Sequence, residues 1–257
     1  MLKNTEQYIG YWFTDQAKAS GLKAGQRIKN ANAGPPYMVV CEQIKSVIVT
    51  GESWPGSLWR ARVVILGDMS NTIPNVWYRR ASEIELIEEL PVGMLFGAHG
   101  GEIVPLLNQI MVLSSPDVDA LHANSAEKPA AEAAYARAWR CWNESLKFPR
   151  QHTYDNALVV GSPSMHDREK SPTNYGFSLI SGLVRKRARE LDGDEAFVEV
   201  EDVYEEDEVE IVLNPRWNAA CCAFMYKAMA LSMSQYISPA DFAVLTQAWS
   251  SVFEQEK

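Results

Sequence analysis

Hydrophobic residues in this chain change their spacing near residue 90. Between Gly25 and about Leu90 they come in short runs and period-two alternations; from Pro129 onward they recur every three or four residues. Period two places alternate side chains on one face of a strand, and a period of 3.6 places every third or fourth on one face of a helix. A chain that obeys first one rule and then the other is α+β, with strands and helices segregated along the sequence.

In the first region, G-Q-R-I-K-N, Y-M-V-V-C, S-V-I-V-T, L-W-R-A-R-V-V-I-L and V-W-Y-R-R predict five strands. A-G-P-P turns the chain, because Gly tolerates positive φ and Pro fixes φ. G-E-S-W-P-G and S-N-T-I-P-N read as loops. So many short strands expose edges unless the sheet closes, so a small closed or half-closed barrel is expected. The order of entry strand, Gly-Pro turn and three further strands resembles SH3-like barrels, which implies an N-terminal SH3-like small β-barrel. Ahead of it, residues 5–19 predict an amphipathic helix capped by Thr5, with Tyr8, Ile9, Trp12 and Phe13 on one face and Gly21 ending it. The first domain is therefore placed at residues 1–90.

Residues 91–257 predict a mainly helical domain. Residues 91–127 suggest a strand followed by a short helix starting near Pro105. A helical stripe then runs from Pro129 to Leu146. A-L-V-V-G is a candidate strand, and Phe177 to Leu191 mark another helix ending in the basic group R-K-R-A-R. At the C-terminus Asn214 caps and Pro215 opens a helix in which Lys227 is the one charge between Trp217 and Tyr236, so this helix is expected to be buried on most sides. Ser238 and Asp241 start a second helix, which makes a helical hairpin.

Glu190 to Glu210 holds twelve carboxylates and no Lys or Arg. Val198 and Val200 alternate with Glu199 and Glu201, and Val209, Ile211 and Leu213 alternate with Glu210. Tyr204 to Asp207 sit between as a turn. This predicts an acidic β-hairpin with an aliphatic inner face and a carboxylate outer face. A calcium loop needs ligands at fixed offsets, and D-G-D-E lacks that frame, so no metal is assigned. Like charges this dense repel, so R-K-R-A-R beside them is the expected source of compensation. Glu199, Glu201, Glu205, Glu206, Asp207, Glu208 and Glu210 then form either a solvated strand face or a candidate contact face for a basic partner.

Charge is uneven. Residues 1–82 carry ten Lys/Arg against five Asp/Glu, and residues 182–257 carry seven against fifteen. The basic front places Arg60, Arg62, Arg79 and Arg80 beside aromatics such as Trp77, a combination suited to nucleic acid through residues 25–82 or to a protein groove. Enzyme signatures are incomplete. H-G-G-E at His99 could supply an oxyanion hole, with Ser162 or Ser164 as nucleophile, but the G-x-S-x-G elbow is missing. The four histidines are scattered and neither nucleotide-binding glycine motif is present, so no cofactor is expected. No run is long enough to span a membrane, no signal peptide begins the chain, and the cysteines form no C-x-x-C pair, so a cytoplasmic location is expected. The reading that follows is a non-catalytic interaction protein of bacterial or phage type, acting on a protein partner through charged surfaces. A nucleic-acid accessory protein and a serine hydrolase are the alternatives.

Overall fold

The computed structural model describes residues 8–30, 34–67, 78–125, 128–145, 172–201 and 209–254. Trp77, the A-L-V-V-G segment, Ser162, Ser164 and the Tyr204–Asp207 turn with Glu205, Glu206, Asp207 and Glu208 lie outside them. The fold is mixed helix and strand and forms two compact units. Among the described residues, 8–49 and 53–100 belong to the first; 50–52 and those from Gly101 onward belong to the second.

The first unit is built from β1 (Ile9–Asp15), a one-turn α1 (Gln16–Ala19), β2 (Arg27–Lys29), β3 (Met38–Cys41), β4 (Gly56–Leu66) and β5 (Tyr78–Leu90). The sheet runs β2-β5-β3-β1-β4, and β4 pairs again with β5. Four strands thus close into a barrel, and β2 is appended along β5.

Over the described part of the helix expected at 5–19, the chain forms a strand followed by the single turn of α1. Ile9–Asp15 is a strand registered against both β4 and β3. Gly10, Trp12 and Thr14 are the buried positions, so the operative period is two. Gly10 permits the pairing, because a Cβ there would lie 2.2 Å from the Cys41 carbonyl oxygen. Partner strands, not the helical spacing of Tyr8, Ile9, Trp12 and Phe13, decide the conformation.

S-V-I-V-T also departs from expectation. Ile44–Ser46 is a 3-10 turn, and the next residues keep alternate burial at Val47 and Val49 without joining a ladder. The barrel interior is filled by Trp12, Val40, Trp59, Ala61, Ala81, Ile84 and Leu86. Trp54 stacks on Phe13 at 6.4 Å and meets Phe96 edge-on at 6.1 Å.

The second unit contains α2 (Gly100–Met111), α3 (Ser115–Ala123), α4 (Lys128–Ser145), α5 (Pro172–Asp192), β6 (Phe197–Glu201), β7 (Val209–Leu213), α6 (Pro215–Ser232) and α7 (Pro239–Phe253). In place of the strand expected after Pro91, Val92–His99 forms 3-10 turns broken by a kink at Phe96 and Gly97, and α2 begins at Gly100, before Pro105. The helix tolerates the internal proline because Ile103, Leu106, Leu107 and Ile110 make a fully buried stripe that outweighs one lost hydrogen bond. Ser114 and Asp117 form a reciprocal capping box at α3.

The C-terminal helices follow their sequence signals. Asn214 accepts from the Trp217 amide, and Ser238 accepts from the Asp241 amide. Trp217 and Phe224 are wholly buried. Arg216 ties three helices together: it pairs with Asp119 and Asp192 and donates to the Ser115 carbonyl, while the Trp217 indole donates to Asp192 at 2.7 Å.

Candidate functional site

β6 and β7 pair antiparallel in the register Phe197↔Leu213, Val198↔Val212, Glu199↔Ile211, Val200↔Glu210, Glu201↔Val209. Opposed residues share a face. One face therefore carries Phe197 and Glu199 with Ile211 and Leu213; the other carries Val198 and Val200 with Val212 and Glu210. The aliphatic inner face and carboxylate outer face expected from the alternation do not form. The register lies one residue from the arrangement that would gather the aliphatics together.

Each face is mixed, and the aliphatics are open to solvent: Val198 is 39% exposed, Val200 40%, Val209 57% and Ile211 53%. Among the described residues, the ribbon is anchored at its root. Leu213 is buried, and the Phe197 ring lies under Arg185 at 5.3 Å and Arg189 at 5.0 Å. Arg185 also donates to the Ile211 carbonyl at 2.8 Å, and Asn214 ties the strand ends through Glu195 and Ala196.

The basic group therefore serves the ribbon's base. Arg187 pairs with Glu190 at 3.0 Å and donates to the Leu113 carbonyl. Among the described residues, Glu199 and Glu210 enter no ion pair, and both are exposed.

The barrel's charges are arranged differently. Trp59 and Ala61 point into the core, and Arg60 and Arg62 lie on the outer face. There β5 supplies their partners. Arg60 meets Glu88 at 3.5 Å and Arg62 meets Glu85 at 3.3 Å. On the other side of β5, Arg27 and Lys29 approach Glu83, which is 4% exposed. A division at residue 82 falls within this strand. Adding Glu83, Glu85, Glu88 and Glu89 turns ten cations against five anions into ten against nine over residues 1–90.

Arg79 donates to the Tyr78 carbonyl and lies 4.9 Å from the Tyr8 ring centroid. Arg80 lines an open groove of about 940 Å³ with Trp12, Ile28, Lys29, Tyr37 and Met38. The structure thus separates the four arginines: Arg60 and Arg62 lie on a paired outer face, Arg80 lines the groove and Arg79 lies against Tyr8.

His99 ends the 3-10 segment, and its glycine neighbour has a packing role. A Cβ on Gly100 would lie 2.0 Å from the Gly93 carbonyl oxygen, so the two backbones touch there. Among the described residues, no group of three or more His, Cys, Asp or Glu is placed to hold a metal ion, and no helix is long and apolar enough to cross a membrane. All four cysteines are free thiols. Burial pushes the Cys221 thiol up to about 12, which keeps it protonated and unreactive near neutral pH.

One cleft carries no motif in the sequence. Lys227, on the otherwise apolar α6, is 7% exposed and lines an open cleft of about 620 Å³ between α2, α6 and α7. Its ammonium reaches Glu254 at 3.2 Å and lies 4.2 Å from the Trp249 ring centroid. The Trp249 indole donates to Gln109 at 2.9 Å, which fixes the ring. Hydrogen bonding from Ser250, then from Lys227, lowers the Glu254 carboxyl below its ordinary value. The signal was the solitary charge between Trp217 and Tyr236, read as a mark of burial rather than of a site.

Compared with known proteins, the chain matches no family model, no curated protein and no solved structure.

Proposed function

We propose that this chain is a non-catalytic binding protein whose contact surface is the β6–β7 ribbon, and that its partner is a protein with a basic face. The observation that carries this is the exposure of Val198, Val200, Val209 and Ile211 on both faces of a ribbon whose neighbouring carboxylates, Glu199 and Glu210, are unpaired among the described residues. Exposed aliphatics supply the area that a partner would bury, and unpaired carboxylates supply steering and register.

On this reading the four-strand closed barrel is an SH3-like scaffold occupying most of residues 1–90, residues 91–257 carry the binding ribbon, and the protein works in the cytoplasm. Support for the first is the order of strands with the short β2 appended; support for the last is four free thiols. The nucleic-acid alternative is weakened by the near-neutral charge of residues 1–90 and by the engagement of Arg60 and Arg62 with Glu88 and Glu85. A salt titration checks it: DNA or RNA affinity falling steeply with salt would restore that alternative.

The binding reading is tested with two variants, Val209→Ser/Ile211→Ser and Glu199→Gln/Glu210→Gln. A partner captured by the wild type should be lost with the first and should bind more slowly and with weaker salt dependence with the second. Retention of every partner by both, with unchanged circular dichroism, would remove the ribbon as the contact surface.

A further inference from the structure

We infer that the cleft around Lys227 is a binding site for a small monocarboxylate with an apolar body, and that Glu254 occupies the carboxylate position until such a ligand displaces it. A charged side chain this deeply buried needs its donors satisfied. An ammonium has three N–H groups. Among the described residues Glu254 accepts one, and the Trp249 ring faces the charge without accepting a conventional hydrogen bond. Lys227 itself lines the cleft, whose walls include Pro105, Leu106, Val112 and Leu231. Such a cleft offers one largely buried cation and an apolar wall for a ring or short chain.

Glu254 suits the role of displaceable occupant. Its side chain is 53% exposed while that of Lys227 is 8% exposed, so the carboxylate can leave toward water while the ammonium cannot. Glu102 also lines the cleft. Its negative charge disfavours a second anionic group on the ligand, which selects a monoanion over a dicarboxylate or a phosphate ester.

Isothermal titration of the full chain with 3-phenylpropionate tests this, with 3-phenylpropanol and phenylsuccinate as the uncharged and dianionic comparators. The expected result is saturable 1:1 binding of 3-phenylpropionate, and of it alone. Lys227→Met should weaken binding at least about tenfold, as for loss of a charge-assisted hydrogen bond in a buried site. Glu254→Gln should tighten it about two- to fivefold, the range for releasing a half-exposed ion pair. A purely structural Lys227–Glu254 pair would give no such gain. No saturable heat with either the wild type or Glu254→Gln, equal binding of either comparator, or unchanged binding by Lys227→Met would overturn the inference. Should Lys227→Met fail to fold by circular dichroism, Glu254→Gln decides alone, and unchanged or weaker affinity in it overturns the site.

Discussion

The β4–β5 pair of the barrel and the β6–β7 ribbon are made from the same kind of sequence. Both alternate aliphatic with charged residues, and both pair antiparallel. In the barrel the register opposes Arg60 to Glu88 and Arg62 to Glu85, and it turns Trp59, Ala61, Ile84 and Leu86 inward. In the ribbon, β7's odd-numbered aliphatics fall opposite β6's odd-numbered residues, so valine and glutamate share each face. Alternation along one strand says which of its residues lie together. Which residues of the neighbour join them is decided by register, and whether that face is buried is decided by what closes over it. The barrel closes on itself, whereas the ribbon keeps its middle residues in solvent.

The largest expected effect probes that difference directly. Ile84 and Leu86 are fully buried, so Ile84→Ala or Leu86→Ala should cost about 2–5 kcal/mol in urea unfolding. Ile211→Ala should stay within about 0.5 kcal/mol, as for a surface site. A matching loss at Ile211 would mean that the ribbon is packed, and the contrast between the two pairs would be gone.

Gly10→Ala comes next. A Cβ at Gly10 would collide with the backbone of Cys41, where no flexible side chain can yield. The expected cost is about 1–3 kcal/mol, read as a lower midpoint of denaturation. An unperturbed variant would show that β1 does not approach β3 this closely, and with it the closed ring would lose one of its pairings.

Much of the helical architecture was legible because its signals are local. Asn214 with Pro215, and Ser238 with Asp241, sit at helix starts as their side-chain chemistry requires. The Ser114–Asp117 box at α3 was present in the letters S-S-P-D and went unread. What was not legible depends on partners distant in sequence. Tyr8 to Phe13 satisfy a helical stripe, and only β3 and β4 make them a strand. The charges of Arg60 and Arg62 looked available because their counterions come from a strand that a boundary at residue 82 had divided. Lys227 was visible as an oddity on an apolar helix. The cleft beside it is assembled from α2 and α7, which no local pattern on α6 can announce.

A smaller effect separates carboxylates held in a clamp from those of the ribbon. Arg137 makes a forked contact with Asp241, joining α4 to α7, and this hydrogen bonding lowers the Asp241 carboxyl below its ordinary value. A folded-state value below the unfolded one adds stability that is present above the unfolded pKa and is lost as pH falls through the folded one. The melting temperature of the wild type should therefore drop below about pH 4, and Asp241→Asn should show a shallower drop over the same interval. Equal acid slopes would mean that the clamp does not hold in solution.

The smallest effect concerns the charges by which the two strand pairs are contrasted. Arg60 and Glu88 are each 52% exposed, so a double-mutant cycle on Arg60→Gln and Glu88→Gln should return a coupling of only about 0.2–1 kcal/mol, falling as salt is added. On the ribbon, Glu199→Gln and Glu210→Gln remove like charge from a segment with no described counterion. They should leave stability unchanged or raise it slightly, with the gain largest at low salt. Were Glu199→Gln as destabilising as Glu88→Gln, the ribbon's acids would be engaged within the fold as the barrel's are, and they would be unavailable to steer a partner.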